Sequence, residues 1–156
     1  MSKIEKTAVS LTILGQTIQP DEITQLLGCR PTQAAKTGDR IPLSNGKTRL
    51  VKIGFWKLDY GVIDAIELDQ KIEQLLEPLT SDLKTWDQIA QSGAIELFCG
   101  LFVGAWNEGF TLPATLIQKL GQRHIQLSFD IYAPVGSWYK EEGEEHETHN
   151  PRHPMP

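Results

Sequence analysis

The sequence is poor in the features that mark several well-known protein classes. It has two cysteines in 156 residues, too few for a disulfide framework. No apolar run approaches the roughly 18 residues that a membrane-spanning helix needs. The first apolar stretch is broken by serine and threonine and lacks a small-residue cleavage site, so we expect no signal peptide. These absences predict a soluble protein in the cytoplasm, with no membrane partner.

The familiar catalytic and cofactor motifs are also missing. The sequence contains no phosphate-binding or dinucleotide-binding glycine pattern, no paired C-x-x-C, no H-E-x-x-H and no G-x-S-x-G. Their absence excludes the strongly marked enzyme classes, although an enzyme with scattered catalytic groups stays open. We therefore predict no cofactor, no metal and no assigned catalytic residue, and favour a protein that is not an enzyme.

What the sequence does contain is typical of one folded domain followed by a tail. Its composition, 40% hydrophobic and 22% charged, is that of an ordinary globular chain. After residue 133 the composition shifts to Gly, Glu, His and Pro, with five glutamates among residues 134–156. We predict a single α+β domain over residues 1–133 and an acidic, disordered tail over 134–156. Three tail histidines, at 146, 149 and 153, suit zinc or nickel, but a tail without fixed neighbours would bind weakly.

Hydrophobic periodicity predicts four main strands and several helices. Two-residue alternation indicates strands over residues 7–14, 49–60 and 124–132, and a continuous apolar run indicates a central strand over 94–103. Helical spacing follows Pro20, continues over residues 68–79 and 83–90, and returns after Pro113. Residues 29–50 are rich in proline, glycine and asparagine, which predicts a long irregular loop.

Two segments of the sequence echo each other. PDEITQLLG starts at Pro20 and PATLIQKLG starts at Pro113, and each lies between two predicted strands. The order is therefore β-α-β, a helical insert and β-α-β. This order predicts a ferredoxin-like sandwich of duplicated β-α-β units, with a four-stranded, mainly antiparallel sheet and helices on one face.

The same segments resemble a known family. The telling pieces are Leu27-Gly28 with Pro31-Thr32, then GFWKLDYG around Trp56, and finally LSFDIYA at the last strand. Together they resemble the domain-of-unknown-function family 4279 over about residues 7–133. The resemblance implies a small bacterial α+β domain without an assigned activity, and it supplies no catalytic residues.

Alternation places a set of polar and aromatic side chains on the sheet face opposite the helices. A rigid face of this kind is suited to binding a polar ligand or a protein surface. Exposed aromatics often mark contact surfaces, which the ordinary wetting of one sheet face does not explain. The candidate binding residues there are Lys57, Asp59, Phe98, Asp130 and Tyr132. Asp39 and Arg40, in the predicted loop, form a second candidate; Asp39 is equally suited to a turn.

Three functions compete at this point. We favour a non-catalytic protein-binding or regulatory module that uses the open sheet face, for example an immunity-type inhibitor of a toxin or a homodimer. The alternative is a small hydrolase in which Asp59, Glu96 and Asp130 meet and one carboxyl holds a raised pKa. The third is nucleic-acid binding through residues 30–57, which contain seven lysines and arginines and one acid. The net charge of −5 and the lack of interleaved aromatics argue against nucleic acid as a partner.

Overall fold

The computed structural model describes residue 4 and residues 6–64, 67–104 and 108–132. The acidic tail, residues 134–156, lies outside the described residues. None of the described helices is long and apolar enough to cross a membrane. The elements, in chain order, are β1 (Lys6–Gly15), α1 (Pro20–Leu27), β2 (Gln33–Ala35), β3 (Arg40–Pro42), β4 (Thr48–Leu50), β5 (Gly54–Asp64), α2 (Leu68–Leu76), α3 (Leu83–Ser92), β6 (Ala94–Phe102), α4 (Ala114–Gln122) and β7 (Ile125–Tyr132).

Helix α1 shows how local sequence sets the element boundaries. Pro20 occupies the first turn, where a missing amide hydrogen costs nothing, and two acids follow it near the positive end of the helix dipole. Gly28 ends the helix in the left-handed conformation, with φ at 71°, and its amide bonds the carbonyl of Thr24 at 3.0 Å. The Thr24 hydroxyl accepts a hydrogen bond from the buried indole of Trp56 at 3.0 Å, which joins α1 to β5.

The main sheet has five strands in the order β2-β5-β1-β6-β7. Strand β1 lies at its centre and pairs antiparallel with both β5 and β6, whereas β6 and β7 are parallel. The α+β class and the mainly antiparallel sheet are therefore as expected, but the sheet is mixed and has a fifth strand. The duplicated ferredoxin-like arrangement is not confirmed. The two similar helices have different settings. Helix α1 leads from β1 to β2, which are separated in the sheet by β5, whereas α4 is the crossover between the parallel neighbours β6 and β7.

All four helices contribute to one hydrophobic core on one face of the sheet. The strands supply every second residue, including Val9, Leu11 and Ile13 from β1, each at most 1% exposed. Helix residues such as Ile72 and Leu116 belong to the same buried cluster and complete the core. The remaining core members are buried apolar side chains of α1, α3, β5, β6 and β7, further positions of α2 and α4, and Leu79. Among the described residues, this arrangement leaves the opposite sheet face without a helix.

A β-bulge interrupts the pairing of β1 with β5. The register shifts between Ala8 and Ser10, and Gly61 adopts φ of 71° there. Lys71 of α2 is fully buried and donates hydrogen bonds to the carbonyl oxygens of Gly61, at 2.9 Å, and of Thr7. Burial lowers the pKa of Lys71, and the nearby charge of Asp59 opposes that shift. The buried ammonium therefore connects the helical layer to the disrupted part of the ladder.

The prediction of one irregular loop over residues 29–50 is wrong. Three residues of this segment form β2, which pairs with β5 at the sheet edge, and β3 and β4 form a separate hairpin. Its turn runs over residues 43–46 and is closed by the hydrogen bond from the amide of Gly46 to the carbonyl of Leu43 at 3.1 Å, with Gly46 at φ of 79°. The sequence signal for the hairpin, Asn-Gly between short β-prone runs, is present, but the strands are too short to show a clear alternation.

Candidate functional site

The uncovered sheet face carries an ordered array of side chains. Because paired residues point to the same side of a sheet, the register assigns each position to a row. From β5 to β7 the rows are Val62–Ala8–Gly100–Asp130, Asp59–Ser10–Phe98–Ser128 and Lys57–Thr12–Glu96–Gln126. A further row, from β1 to β7, is Lys6–Phe102–Tyr132. The sequence-predicted residues of these strands therefore share one face, which we call the open face.

Aromatic rings form one end of the open face. Phe102 and Tyr132 stack with centroids 4.8 Å apart and an interplanar angle of 14°. A side chain at Gly100 would meet the rings of Phe98 and Tyr132 at 3.6 and 3.8 Å. These rings therefore lie on either side of a glycine, and Tyr132 is 48% exposed. Val62, in the same row as Gly100, is 55% exposed. The result is an apolar patch at this end of the open face.

A charged pair lies on β5, on the far side of the open face from Tyr132. Lys57 and Asp59 point to the same side, with the ammonium nitrogen 3.8 Å from a carboxylate oxygen. The other carboxylate oxygen of Asp59 accepts the amide of Gly61 at 2.9 Å, so the side chain also supports the bulge. The backbone amide of Asp59 donates to the hydroxyl of Thr32 at 2.9 Å. Asp59 is thus fixed by three neighbours from the same edge of the sheet.

The carboxylates proposed for catalysis share the face but do not form a cluster. Asp59 is on β5 and Asp130 on β7, so three strand spacings of ~4.8 Å, or about 14 Å, separate their strands. Glu96, on β6, lies one row from Asp59 and two strands away. Asp130 instead has the hydroxyl of Tyr132 at 3.4 Å. Among the described residues, no group of three or more His, Cys, Asp or Glu is arranged to hold a metal ion.

Asp39 and Arg40 lie away from the open face. A carboxylate oxygen of Asp39 accepts the amide of Lys36 at 2.9 Å, and the Asp39 amide donates to the Lys36 carbonyl at 3.1 Å. These bonds are those of a turn residue, the second of the two roles expected for Asp39. Arg40 begins β3, and its side chain is exposed on the hairpin. The structure therefore separates these two candidates from the five on the sheet.

Two surface depressions lie outside the open face's aromatic end. One, of about 380 Å³, lies between the hairpin and the start of β5 and is lined by Leu14, Leu50, Ile53 and Phe55, with cations beside them. The other, of about 360 Å³, lies between α2 and α4. There Lys119 pairs with Glu73 at 2.5 Å. Neither depression brings the predicted binding residues together.

Sequence reasoning missed several members of the open face, among them Phe102, Gly100 and Val62. Phe102 lies within the predicted strand over residues 94–103 and continues the alternation of Phe98, so the same pattern assigns it to this face. Gly100, between them, has no side chain and therefore adds nothing to the alternation of polar and apolar residues. Val62 is reached only through the bulge, because the extra residue at Gly61 reverses which positions face outward.

Comparison with family models assigns the domain. The model described as Domain of unknown function (DUF4279) matches residues 5–134. The chain belongs to this family. Comparison with curated proteins and with solved structures gives no match.

The DUF4279 match covers every described strand and helix, and the candidate open face lies wholly within it. The acidic tail starts where the match ends. The description of the DUF4279 family states no activity. A function for this DUF4279 domain therefore has to be argued from its own surface chemistry.

Proposed function

We propose that the domain is a non-catalytic protein-binding module whose partner contacts the aromatic end of the open face. The observation that carries the proposal is the stacked pair of Phe102 and Tyr132, with Phe98 close to it across Gly100, on a sheet face that no described helix covers. Contact surfaces are enriched in aromatic side chains, and well-packed aromatics dominate their energetics. An immunity-type inhibitor of a toxin is one form that such a module takes.

The shape and charge of the face support a macromolecular partner. The aromatic patch lies on the surface of a sheet, and neither described depression is lined by its residues. Small-molecule sites are concave and bury most of the ligand, whereas protein interfaces of ordinary size are broad. Polar groups surround the patch: Asp130 on one side and the Lys57–Asp59 pair on the other. An apolar centre with a polar rim is the usual anatomy of a protein interface.

The separation of the carboxylates also favours binding over hydrolysis. General acid and base groups act within hydrogen-bond reach of the same reacting atoms. Asp59 and Asp130 lie on strands about 14 Å apart, and Asp59 already accepts the amide of Gly61. No described observation gives either carboxylate a catalytic partner on this face.

Site-specific photo-crosslinking tests the proposal. A benzophenone amino acid replaces Tyr132 in the full chain, and the same amino acid replaces the exposed Gln118 of α4 as the control. After irradiation in an extract of the source organism, we expect one heterologous adduct at position 132 and none at 118. Adding Asp130→Arg to the labelled chain is expected to remove the adduct. Unlabelled Tyr132→Ala, added as a competitor, is expected not to compete for the partner.

The variants also need an unchanged fold. Tyr132 and Asp130 are exposed, so we expect thermal unfolding midpoints close to that of the parent chain. Equal adducts at positions 118 and 132, or an adduct that survives Asp130→Arg in a folded protein, would contradict the proposal. Adducts with a second copy of the same chain are separated by mass and do not support it.

A further inference from the structure

The two edges of the main sheet differ in how far they are protected from pairing with another chain. At one edge, β2 is only three residues long, and beyond it the hydroxyl of Thr32 bonds the amide of Asp59. The bulge at Gly61 and the side chain of Lys57 follow along the same edge. Short edge strands, bulges and lysines are the devices that prevent a sheet edge from pairing with another chain. This edge is therefore protected.

The other edge, β7, has none of these devices. It is eight residues long, IQLSFDIY, with no proline, no lysine and one charged residue, Asp130. Phe129 and Ile131 point to the helix-covered side of the sheet, yet they are 37% and 64% exposed. Phe129 is covered in part by the ring of Phe110, with centroids 5.6 Å apart. An extended apolar edge of this kind is suited to pairing with another strand.

The backbone of β7 presents its free hydrogen-bonding groups at every second residue. The carbonyl of Tyr132 accepts the amide of Val103 at 3.0 Å, so the main-chain groups of Tyr132 point towards β6. In a strand, the amide and carbonyl of one residue point to one side and those of the next residue to the other. Leu127, Phe129 and Ile131 therefore direct theirs away from the sheet, and within the described residues they bond to no other segment.

A second β7 fits this edge in one antiparallel register. Centring a two-fold axis on Phe129 pairs it with its own symmetry mate and pairs Leu127 with Ile131 of the other copy, so outward amides meet outward carbonyls. All of these side chains lie on the helix-covered side and extend the apolar surface. On the open side, Ser128 faces Asp130 of the other copy, a hydroxyl donor opposite a carboxylate. No like charges are opposed, so the edge is complementary to itself in shape and charge.

We propose that the protein forms a homodimer by antiparallel pairing of β7 with β7 of a second copy about a two-fold axis at Phe129, which makes one continuous ten-stranded sheet. The register provides about six main-chain hydrogen bonds between the copies. The contact is isologous and closes at two copies, because each β7 has a single free edge. The proposal concerns the edge of the sheet and does not rest on the protein-binding role of the open face.

The position on the two-fold axis allows a strict test with charge. In the Phe129→Lys dimer, the two lysines lie opposite each other across the axis, and in the Phe129→Glu dimer the two glutamates do. Like charges directly opposite each other destabilise strand pairing, so each variant should weaken the dimer. An equimolar mixture of the two variants places lysine opposite glutamate. Leu50→Lys on β4 makes a matched control, since Leu50 is 48% exposed and β4 belongs to the separate hairpin and not to the main sheet.

Mass measured by light scattering and by sedimentation on the full-length chain decides the outcome. We expect twice the monomer mass of 17.5 kDa for the parent chain and for Leu50→Lys. Each Phe129 variant is expected to raise the dimer dissociation constant by ~10-fold or more, and the mixture to restore the dimer. Circular dichroism checks that each variant is folded.

Three results would overturn the proposal. These are a parent chain that stays monomeric at its highest soluble concentration, folded Phe129 variants that dimerise like the parent, and a mixture that gives no heterodimer although the parent is dimeric. A dimer that Tyr132→Ala dissociates and Phe129→Lys does not would assign the contact to the open face and would also reject the edge.

Discussion

The buried ammonium group of Lys71 donates a hydrogen bond to the carbonyl of Gly61 at 2.9 Å, which connects α2 to the bulge of β5. A charged group in the core is costly unless it is hydrogen-bonded, and here two backbone carbonyls, those of Gly61 and Thr7, supply the partners. The bulge leaves the strand ladder locally incomplete, so the lysine and the bulge depend on each other.

The first prediction concerns the pH dependence of stability at Lys71. Burial lowers its pKa from the ordinary value of 10.5, so in the pH range just below 10.5 the unfolded chain binds more protons than the folded one. The contribution of Lys71 therefore rises with pH through this range. Urea unfolding of the parent and of Lys71→Met should show that the stability lost on substitution increases from pH 7 towards pH 10. A difference in unfolding free energy between the two proteins that does not change with pH would contradict this prediction.

The second prediction concerns the buried hydroxyl of Thr7. Within the described part of the chain this oxygen has no hydrogen-bond partner, although Thr7 is only 1% exposed. Replacing it by the isosteric valine removes an unsatisfied polar group, so Thr7→Val should increase the unfolding free energy by about 1 kcal/mol. Thr12→Val, on the open face, is the control and should change stability by less than about 0.5 kcal/mol. A destabilised Thr7→Val would indicate a missed partner.

The third prediction separates two glycines that look alike in the sequence. Gly28 ends α1 with φ of 71°, whereas Gly121 lies in the last turn of α4 and has no positive φ. Alanine is strained in the left-handed region but is favoured over glycine in a helix. Gly28→Ala should therefore cost about 1 kcal/mol, and Gly121→Ala should add about 0.5–1 kcal/mol. An added Cβ meets nothing within 4 Å at either site, so thermal unfolding reports the backbone effect alone.

The fourth prediction concerns the two cysteines. Cys99 is fully buried in β6, and burial raises its pKa to about 12, whereas Cys29 is partly exposed. Because the thiolate is the reactive form, iodoacetamide at neutral pH should modify Cys29 in the folded protein and Cys99 only in urea. Intact mass should show one adduct on the folded protein and two adducts in urea. Cys29→Ser should show none while folded, and rapid native labelling of that variant would refute the buried position of Cys99.

Local patterns in the sequence were enough to find most elements and the faces of their side chains. The alternation of Lys57 and Asp59 against Trp56, and of Asp130 and Tyr132 against Phe129, correctly assigned both sets to one sheet face. The ends of α1 followed from Pro20 and Gly28. The short strands β2, β3 and β4 were missed, because three residues carry too little periodicity to be told from a loop.

The sequence alone determined which residues share a side of a strand or helix, since that depends on a period of 2.0 or 3.6 residues within a few positions of the chain. Only the tertiary structure decided which strands are neighbours, and therefore that Asp59 and Asp130 lie on strands three spacings apart. It also decided that Lys71 is buried while Ile131 is exposed. Strand order and coverage arise from contacts between residues far apart along the chain, which no local pattern encodes.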